Sequence, residues 1–588
     1  MVSAGAAVVT CYCGLNIQKS MSQDINYLPS LTSRSDAGRM TEWDLWFRRH
    51  TKACAAVILA FGFLARVWAA TGTFLNPDEA QHFLVANRSS LALAYKSSLT
   101  LAHPPLLIIA LYYWRSVFGN SEFSIRMLSV LAGILFCWVF FKWMTGLLGD
   151  RTALVSLIFV SLLPPLVFLS AQVRQYSLLL LFLAMAGYFF EASLANNSLL
   201  QMLLFSLSLY LAMLSHYSAF FFAAAMGIYA LSRFIYQRFP PQMITGWAVG
   251  QIGGLALFAF LYLSHISKLK GSSLAGEATE GWLRRSYFHI GQDSFLLFIL
   301  GRTFGVFQFI FGNLAVGDVM GLCFFAGMLF LLKHRNAETK TAPTGRHLAI
   351  LFTLPFSLNC AAALLGAYPY GGTRHSAFLE IFGAAGVAIF LLGIFRRNRA
   401  RAVAIAIVIV GVCTIFGKLH QPYMKRADQS PVQMETSVAF IHQQIPRSVP
   451  ILIDVQTRML LGYYLCRQQR DSPESPHQDL EVIECGGYQL ITANLWRFDA
   501  VTFHKYWDEM IRTYGFKPGD SVWVIQEGWD VGIPQLYDPK PFATFPEFRN
   551  LRVTSFGRNI QLFKVTVGDP LSMSSSSSGR PEAVARGM

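Results

Sequence analysis

Charge is what this sequence has least of. Only 14% of its 588 residues are Asp, Glu, Lys or Arg, against about 25% in soluble globular chains, which excludes a water-soluble enzyme with an ordinary surface. Its nine cysteines include no CxxC pair, and Cys11 and Cys13 stand too close together to make one, so neither a zinc ribbon nor a redox dithiol is indicated. The N-terminal stretch lacks the basic start, apolar centre and small-residue cleavage site of a signal peptide, and residues 1–47 are expected to remain as a disordered cytoplasmic leader. The Ser-rich end, 569–588, is expected to be a disordered tail. Acidic residues are also short, 33 against 48 basic ones, for a net charge of +15. That balance could suit nucleic acid, but in a membrane chain it marks cytoplasmic loops, and no nucleic-acid partner is expected.

What is abundant is apolar: 54% hydrophobic residues, 49 of them Phe, and a mean hydropathy of +0.42. A membrane span needs about 20 mostly apolar residues. Eleven such runs stand near 53–71, 123–146, 152–171, 177–195, 199–215, 217–233, 243–264, 314–332, 347–367, 376–395 and 402–418. Arg48, Arg49 and Lys52 precede the first, Lys333 to Arg346 follow the eighth, and Arg396 to Arg401 follow the tenth, so these loops should be cytoplasmic. With the N-terminus inside and an odd number of spans, everything from 419 onward lies outside. Two shorter runs, 105–118 and 295–311, read as interfacial helices; if both crossed, the count would be thirteen. The loop 265–294 should be external yet carries Lys268, Lys270, Arg284 and Arg285, against the charge rule.

From 419 the composition turns mixed. VPILIDV (449–455), SVWVIQE (521–527) and IQLFKV (560–565) read as strands, and Gln433–Gln444 and Thr457–Leu465 as helices. The expectation is a small extracytoplasmic α/β domain over 419–568 on a polytopic α-helical membrane domain over 48–418. Cys466 and Cys485 lie in a compartment that permits disulfides; a bridge and two free thiols both fit their spacing.

The first outer loop, 72–122, carries adjacent carboxylates, Asp78 and Glu79, just after Pro77. Such a pair is also an ordinary helix start, with Asp78 as cap and Glu79 meeting the helix dipole. Its company changes that reading. NPDEAQHF at 76–83, HPPL at 103, FGNSEFSIRMLSVLAG at 118, RQYSLLLL at 174, SHYS at 215 and PYGGTRHSAFLEIF at 369 together resemble the ordered landmarks of the GT-C glycosyltransferases of the protein O-mannosyltransferase and aminoarabinose-transferase type.

The resemblance implies a GT-C fold and a polyprenyl-phosphate sugar as donor, transferred with inversion to an acceptor hydroxyl of a glycan, lipid or protein. It places the active site at the outer face of the bilayer, expected here to be a bacterial inner (plasma) membrane. Asp78 matches the family's catalytic aspartate. Adjacent helical residues point about 100° apart, so Glu79 becomes a capping or supporting residue. Arg374, Arg174 and His375 are the candidates to hold the donor phosphate, with snorkelling to lipid headgroups the plainer role for the arginines. Where the family has Arg-Tyr, this chain has Arg374-His375. His103, Tyr176, His216 and Tyr217 are placed to line the same cavity, although a buried, hydrogen-bonded His216 would need no function. The pair offers no Asp-x-Asp spacing, so no metal or other cofactor is expected, with Glu277, Glu280, His289 and Asp293 the remaining candidate ligands. A transporter or flippase is the alternative, favoured mainly by Arg66 inside the first span.

Overall fold

Among the described residues helix follows helix from Glu42 to Phe416. The computed structural model describes residues 42–269, 276, 278–334, 341–395, 398–417, 429–466, 479–498, 500–529, 553–557 and 559–567. Most of the expected leader, the expected tail, Lys270 and Glu277 lie outside the described residues. The membrane domain comprises α1 (Glu42–Thr71), α2 (Pro77–Ala86), α3 (Leu91–Ser98), α4 (Leu106–Phe118), α5 (Glu122–Leu148), α6 (Asp150–Leu162), α7 (Pro164–Ala171) and α8 (Tyr176–Asn196). It continues with α9 (Leu199–Ser215), α10 (Ala219–Tyr236), α11 (Pro241–Leu261), α12 (Phe295–Phe311), α13 (Leu314–His334), α14 (Gly345–Leu364), α15 (Glu380–Ile394) and α16 (Arg399–Phe416).

Among the described residues eight helices are long and apolar enough to cross a membrane, or nine if α6 and α7, bent by 57°, count as one span. All eleven expected runs are helical. By length, however, α9 and α16 fall in a shorter class with α4 and α12. α11 shows what its apolar residues face: Gly250 and Gly254 are buried against neighbours while Val249, Ile252 and Leu255 are exposed, as suits a helix whose outer side meets lipid. The interior is tightly packed. A Cβ on Gly187 of α8 would sit 2.3 Å from the Trp143 ring of α5, so only glycine allows this approach.

The bend between α6 and α7 accounts for Arg66. Pro164 and Pro165 have no N–H, so the carbonyls of Val160 and Ser161 lose their helical donors. Arg66 replaces them, donating to Ser161 O at 2.7 Å and Val160 O at 3.1 Å, and also to Gly62 O at 3.0 Å. Its side chain is fully buried. The charge that most favoured transport is a structural clamp on a proline break.

The C-terminal unit packs α17 (Pro431–Gln444), α18 (Val455–Leu461) and α19 (Ala500–Tyr514) on a six-stranded sheet: β1 (Ile451–Ile453), β2 (Leu480–Cys485), β3 (Tyr488–Ala493), β4 (Ser521–Glu527), β5 (Val553–Ser555) and β6 (Ile560–Thr566). Strand order is β2-β3-β1-β4-β6-β5, with β1 parallel to both neighbours and the other pairings antiparallel. Alternation along β1 builds two cores: Ile451 and Ile453 join the cluster containing Met434 and Leu460, and Leu452 joins the one containing Phe503 and Trp507. Cys466 and Cys485 form a disulfide.

This unit sits on the first outer loop. Tyr464 accepts from Leu75 N at 2.8 Å and donates to Glu122 at 2.6 Å, and Gln429 and Phe74 exchange two hydrogen bonds of 3.0 and 2.6 Å. Gly528 has φ +133°, and a Cβ there would meet Gln456 Oε1 at 2.5 Å and Pro77 Cγ at 3.1 Å, so the end of β4 lies against the first residue of α2.

Candidate active site

The start of α2 sets the geometry. Pro77 occupies the first helical position, where its missing N–H costs nothing, and Asn76 is therefore the cap, accepting from Glu79 N at 3.1 Å. The Glu79 carboxylate accepts from Asn76 N at 3.0 Å in return. The expectation that Asp78 caps the helix is corrected: it lies one residue inside.

Glu79 is a supporting residue with several duties. It holds Arg126 of α5 through two hydrogen bonds of 2.8 and 2.7 Å and accepts from Val173 N at 2.9 Å. Arg126 also donates to Ala70 O, Thr73 O and Phe74 O at 2.6 to 2.9 Å. One buried ion pair thus fixes the end of α1, the strap leading to α2 and the loop that carries Arg174.

Asp78 points elsewhere, as adjacent helical residues must. Its carboxylate is paired with Arg174 and, at 3.0 Å, with Arg374. Burial would raise the Asp78 carboxyl, but the two guanidiniums outweigh it and hold it below the usual carboxylate range. Arg174 stands in the break between α7 and α8, its guanidinium 5.7 Å from the Tyr176 ring. Arg374 opens a short 3₁₀ turn, Arg374–Leu379. Gly371 and Gly372 bring it there: a Cβ on Gly372 would stand 2.7 Å from Gly305 O of α12. Both arginines are therefore drawn inward to a carboxylate, in place of the snorkelling role.

Around this triad runs a line of histidines. His82 donates from Nδ1 to Asp78 O at 2.5 Å, and ring centroids then step from His82 to His103 at 6.4 Å, His103 to His216 at 5.3 Å and His216 to His375 at 6.4 Å. Tyr176 lies 5.3 Å from His216. Burial first, then Arg174, pulls His82 down to about 3, and burial and the neighbouring His216 push His103 well below its ordinary value, so both are neutral donors or acceptors at physiological pH. His216 has its own partner, Ser218 Oγ at 2.8 Å. The Tyr217 hydroxyl bonds His265 and its ring stacks on Phe220.

Sequence reasoning missed four groups. His82 stands four residues after Asp78, on one helix face, and could have been found. Tyr368, at 6.3 Å from His375, adjoins a quoted landmark. Trp282 and Trp529 flank Arg374 at 5.9 and 5.8 Å, and no local pattern signals either. Among the described residues no group of three or more His, Cys, Asp and Glu side chains is arranged to hold a metal ion; His289 and Asp293 pair locally, at 3.3 Å.

Residues 102–262 match the family model of dolichyl-phosphate-mannose-protein mannosyltransferases. No curated protein matches the sequence significantly. The fold resembles ArnT from Cupriavidus metallidurans bound to undecaprenyl phosphate, with a TM-score of 0.51 and 12% identity over 87% of this chain and 97% of that one. The apo form of that protein gives 0.50 and 11% over 87% and 98%. The apo oligosaccharyltransferase of Archaeoglobus fulgidus gives 0.43 and 12% over 82% and 70%. The fold is the GT-C fold, and within it residues 102–262 are similar to the mannosyltransferase family.

Proposed function

We propose that this protein is an inverting glycosyltransferase that moves a sugar from a polyprenyl-phosphate donor to an acceptor hydroxyl at the extracytoplasmic membrane face. The observation that carries this reading is one buried carboxylate, Asp78, held between two arginines from separate elements. The undecaprenyl phosphate bound by the ArnT relative supports the donor class.

In this reading Arg174 and Arg374 turn from Asp78 to the donor phosphate, to which guanidinium forks are matched. The freed carboxylate accepts the proton of the acceptor hydroxyl as its oxygen attacks the anomeric carbon. The new C–O bond forms as the sugar-phosphate C–O bond breaks on the opposite side, inverting the configuration. The electron pair leaves with the polyprenyl phosphate, whose charge the arginines stabilise. Because they supply that charge, the reaction needs no metal ion.

Arg374→Ala should weaken donor binding by roughly 10- to 100-fold, the value of a hydrogen bond between charged groups, with acceptor KM nearly unchanged. Arg374→Lys should recover only part, because a single ammonium cannot form the bidentate contact. Donor affinity equal to the parent in Arg374→Ala would remove the arginine from phosphate recognition.

The C-terminal domain packs on the same outer loop as the site, so both belong on one side of the membrane. A reporter active only in the cytoplasm, fused after Pro570, should be silent; strong signal would overturn the extracytoplasmic site.

A further inference from the structure

Two tryptophans far apart in sequence converge on the guanidinium of Arg374. Trp282, from the segment before α12, lies 5.9 Å from it, and Trp529, from the C-terminal domain, lies 5.8 Å from it. Trp529 is held where the chain leaves β4: Gly528 takes φ +133° against Pro77, Trp529 N donates to Gln456 Oε1 at 3.1 Å, and the ring rests 6.1 Å from Trp496. Trp282 is 60% exposed, leaving a large part of its ring surface open to a ligand. Its ring stands 5.6 Å from His375.

Polar groups border the same region. Tyr176 is fully buried, yet its hydroxyl has no hydrogen-bond partner among the described residues, and neither has His375 Nδ1. Buried polar atoms are normally satisfied, and these two unpartnered ones belong to side chains beside the arginines: the Tyr176 ring is 5.7 Å from the Arg174 guanidinium, and His375 follows Arg374. Flat aromatic faces together with a few fixed polar groups are what a sugar ring requires: its C–H face packs on the electron-rich indole, and its hydroxyls meet the polar atoms.

We propose that Trp282 and Trp529 form the aromatic walls of a sugar-ring subsite beside Arg374, with Tyr176 and His375 as its polar contacts. The inference rests on the glycosyltransferase reading above and deepens it, making the C-terminal domain a part of the substrate site. The ring belongs either to the donor, next to the phosphate held by Arg374, or to a glycan acceptor.

The test uses full-length protein and three measurements: affinity for undecaprenyl phosphate, affinity for undecaprenyl-phosphate-linked mannose, arabinose and aminoarabinose, and acceptor KM with the best of these donors. Trp282→Ala and Trp529→Ala should each leave binding of the sugar-free lipid unchanged. Each should weaken binding of the sugar-linked lipid about tenfold if the ring is the donor's, or raise acceptor KM about tenfold if it is the acceptor's, as truncating a Trp at a binding hot spot does. Trp→Phe at either position should recover part of the loss, which guards against a folding defect. Equal weakening of sugar-free and sugar-linked lipid would reduce the tryptophans to props for Arg374 and overturn the subsite, as would no change in any measurement. A parent that binds none of the lipids overturns the function reading and this inference together.

Discussion

Asp78→Asn should lower the transfer rate by about 10²- to 10⁴-fold, the usual cost of losing a general base, while the protein folds normally. Asn matches Asp in size, and the cap of α2 is supplied by Asn76, so the helix start is untouched. The loss should appear in kcat, measured as release of polyprenyl phosphate at saturating donor. Donor affinity should not fall and has reason to rise, because the Asp78 carboxylate occupies the arginines that the lipid phosphate would use. The pH profile adds a second reading. In the free enzyme Arg174 and Arg374, overcoming burial, keep the Asp78 carboxyl below its ordinary value, so the acid limb of kcat/KM, which reports the free enzyme, should lie below the ordinary carboxylate range. A variant with parent-like turnover would move the base elsewhere.

Glu79→Gln should act on stability instead. The substitution removes the charge that compensates Arg126, whose guanidinium is almost wholly buried. Breaking one partner of a buried pair costs about 3–5 kcal/mol, a large part of the roughly 5–15 kcal/mol that holds a domain together. The expected result is a marked fall in thermal stability and in the yield of folded protein. The fraction that folds should keep more activity than Asp78→Asn, since Glu79 faces Arg126 and Val173 N and not the arginine pair. Wild-type thermal stability in Glu79→Gln would mean that the capping box and the Arg126 ladder are not the supports described here. The neighbouring carboxylates are thus separable by what is measured, one by rate and the other by melting.

Most of the site-bearing residues were legible because the chemistry is concentrated in short motifs. Asp78, Glu79, Arg174 and Arg374 stand in motifs whose order resembles the GT-C glycosyltransferases, and the resemblance singled them out; their convergence appears in the ion pairs of Asp78. The cap was misassigned because Asn76 and Asp78 are both cap-competent; Pro77 at the first helical position decides between them. Arg126 was passed over because a lone arginine at the head of an apolar helix looks the same whether it meets lipid or a buried glutamate. Arg66 misled for a related reason, since its partners are carbonyls exposed by prolines about a hundred residues away. The β2–β3 hairpin went unread although Gly486 and Gly487, both at positive φ, are the turn that two alternating strands need. Trp282 and Trp529 lay beyond reach, because only the seating of the C-terminal domain on the outer loop brings them to Arg374.

The most direct measurement of the central claim is sugar transfer by purified protein in lipid, supplied with undecaprenyl-phosphate-linked mannose, arabinose or aminoarabinose and a membrane extract as acceptor, with the product's anomeric configuration read by NMR. The account predicts transfer from at least one donor, inverted configuration, and loss of transfer in Asp78→Asn. Retained configuration, or transfer undiminished in Asp78→Asn, would contradict it.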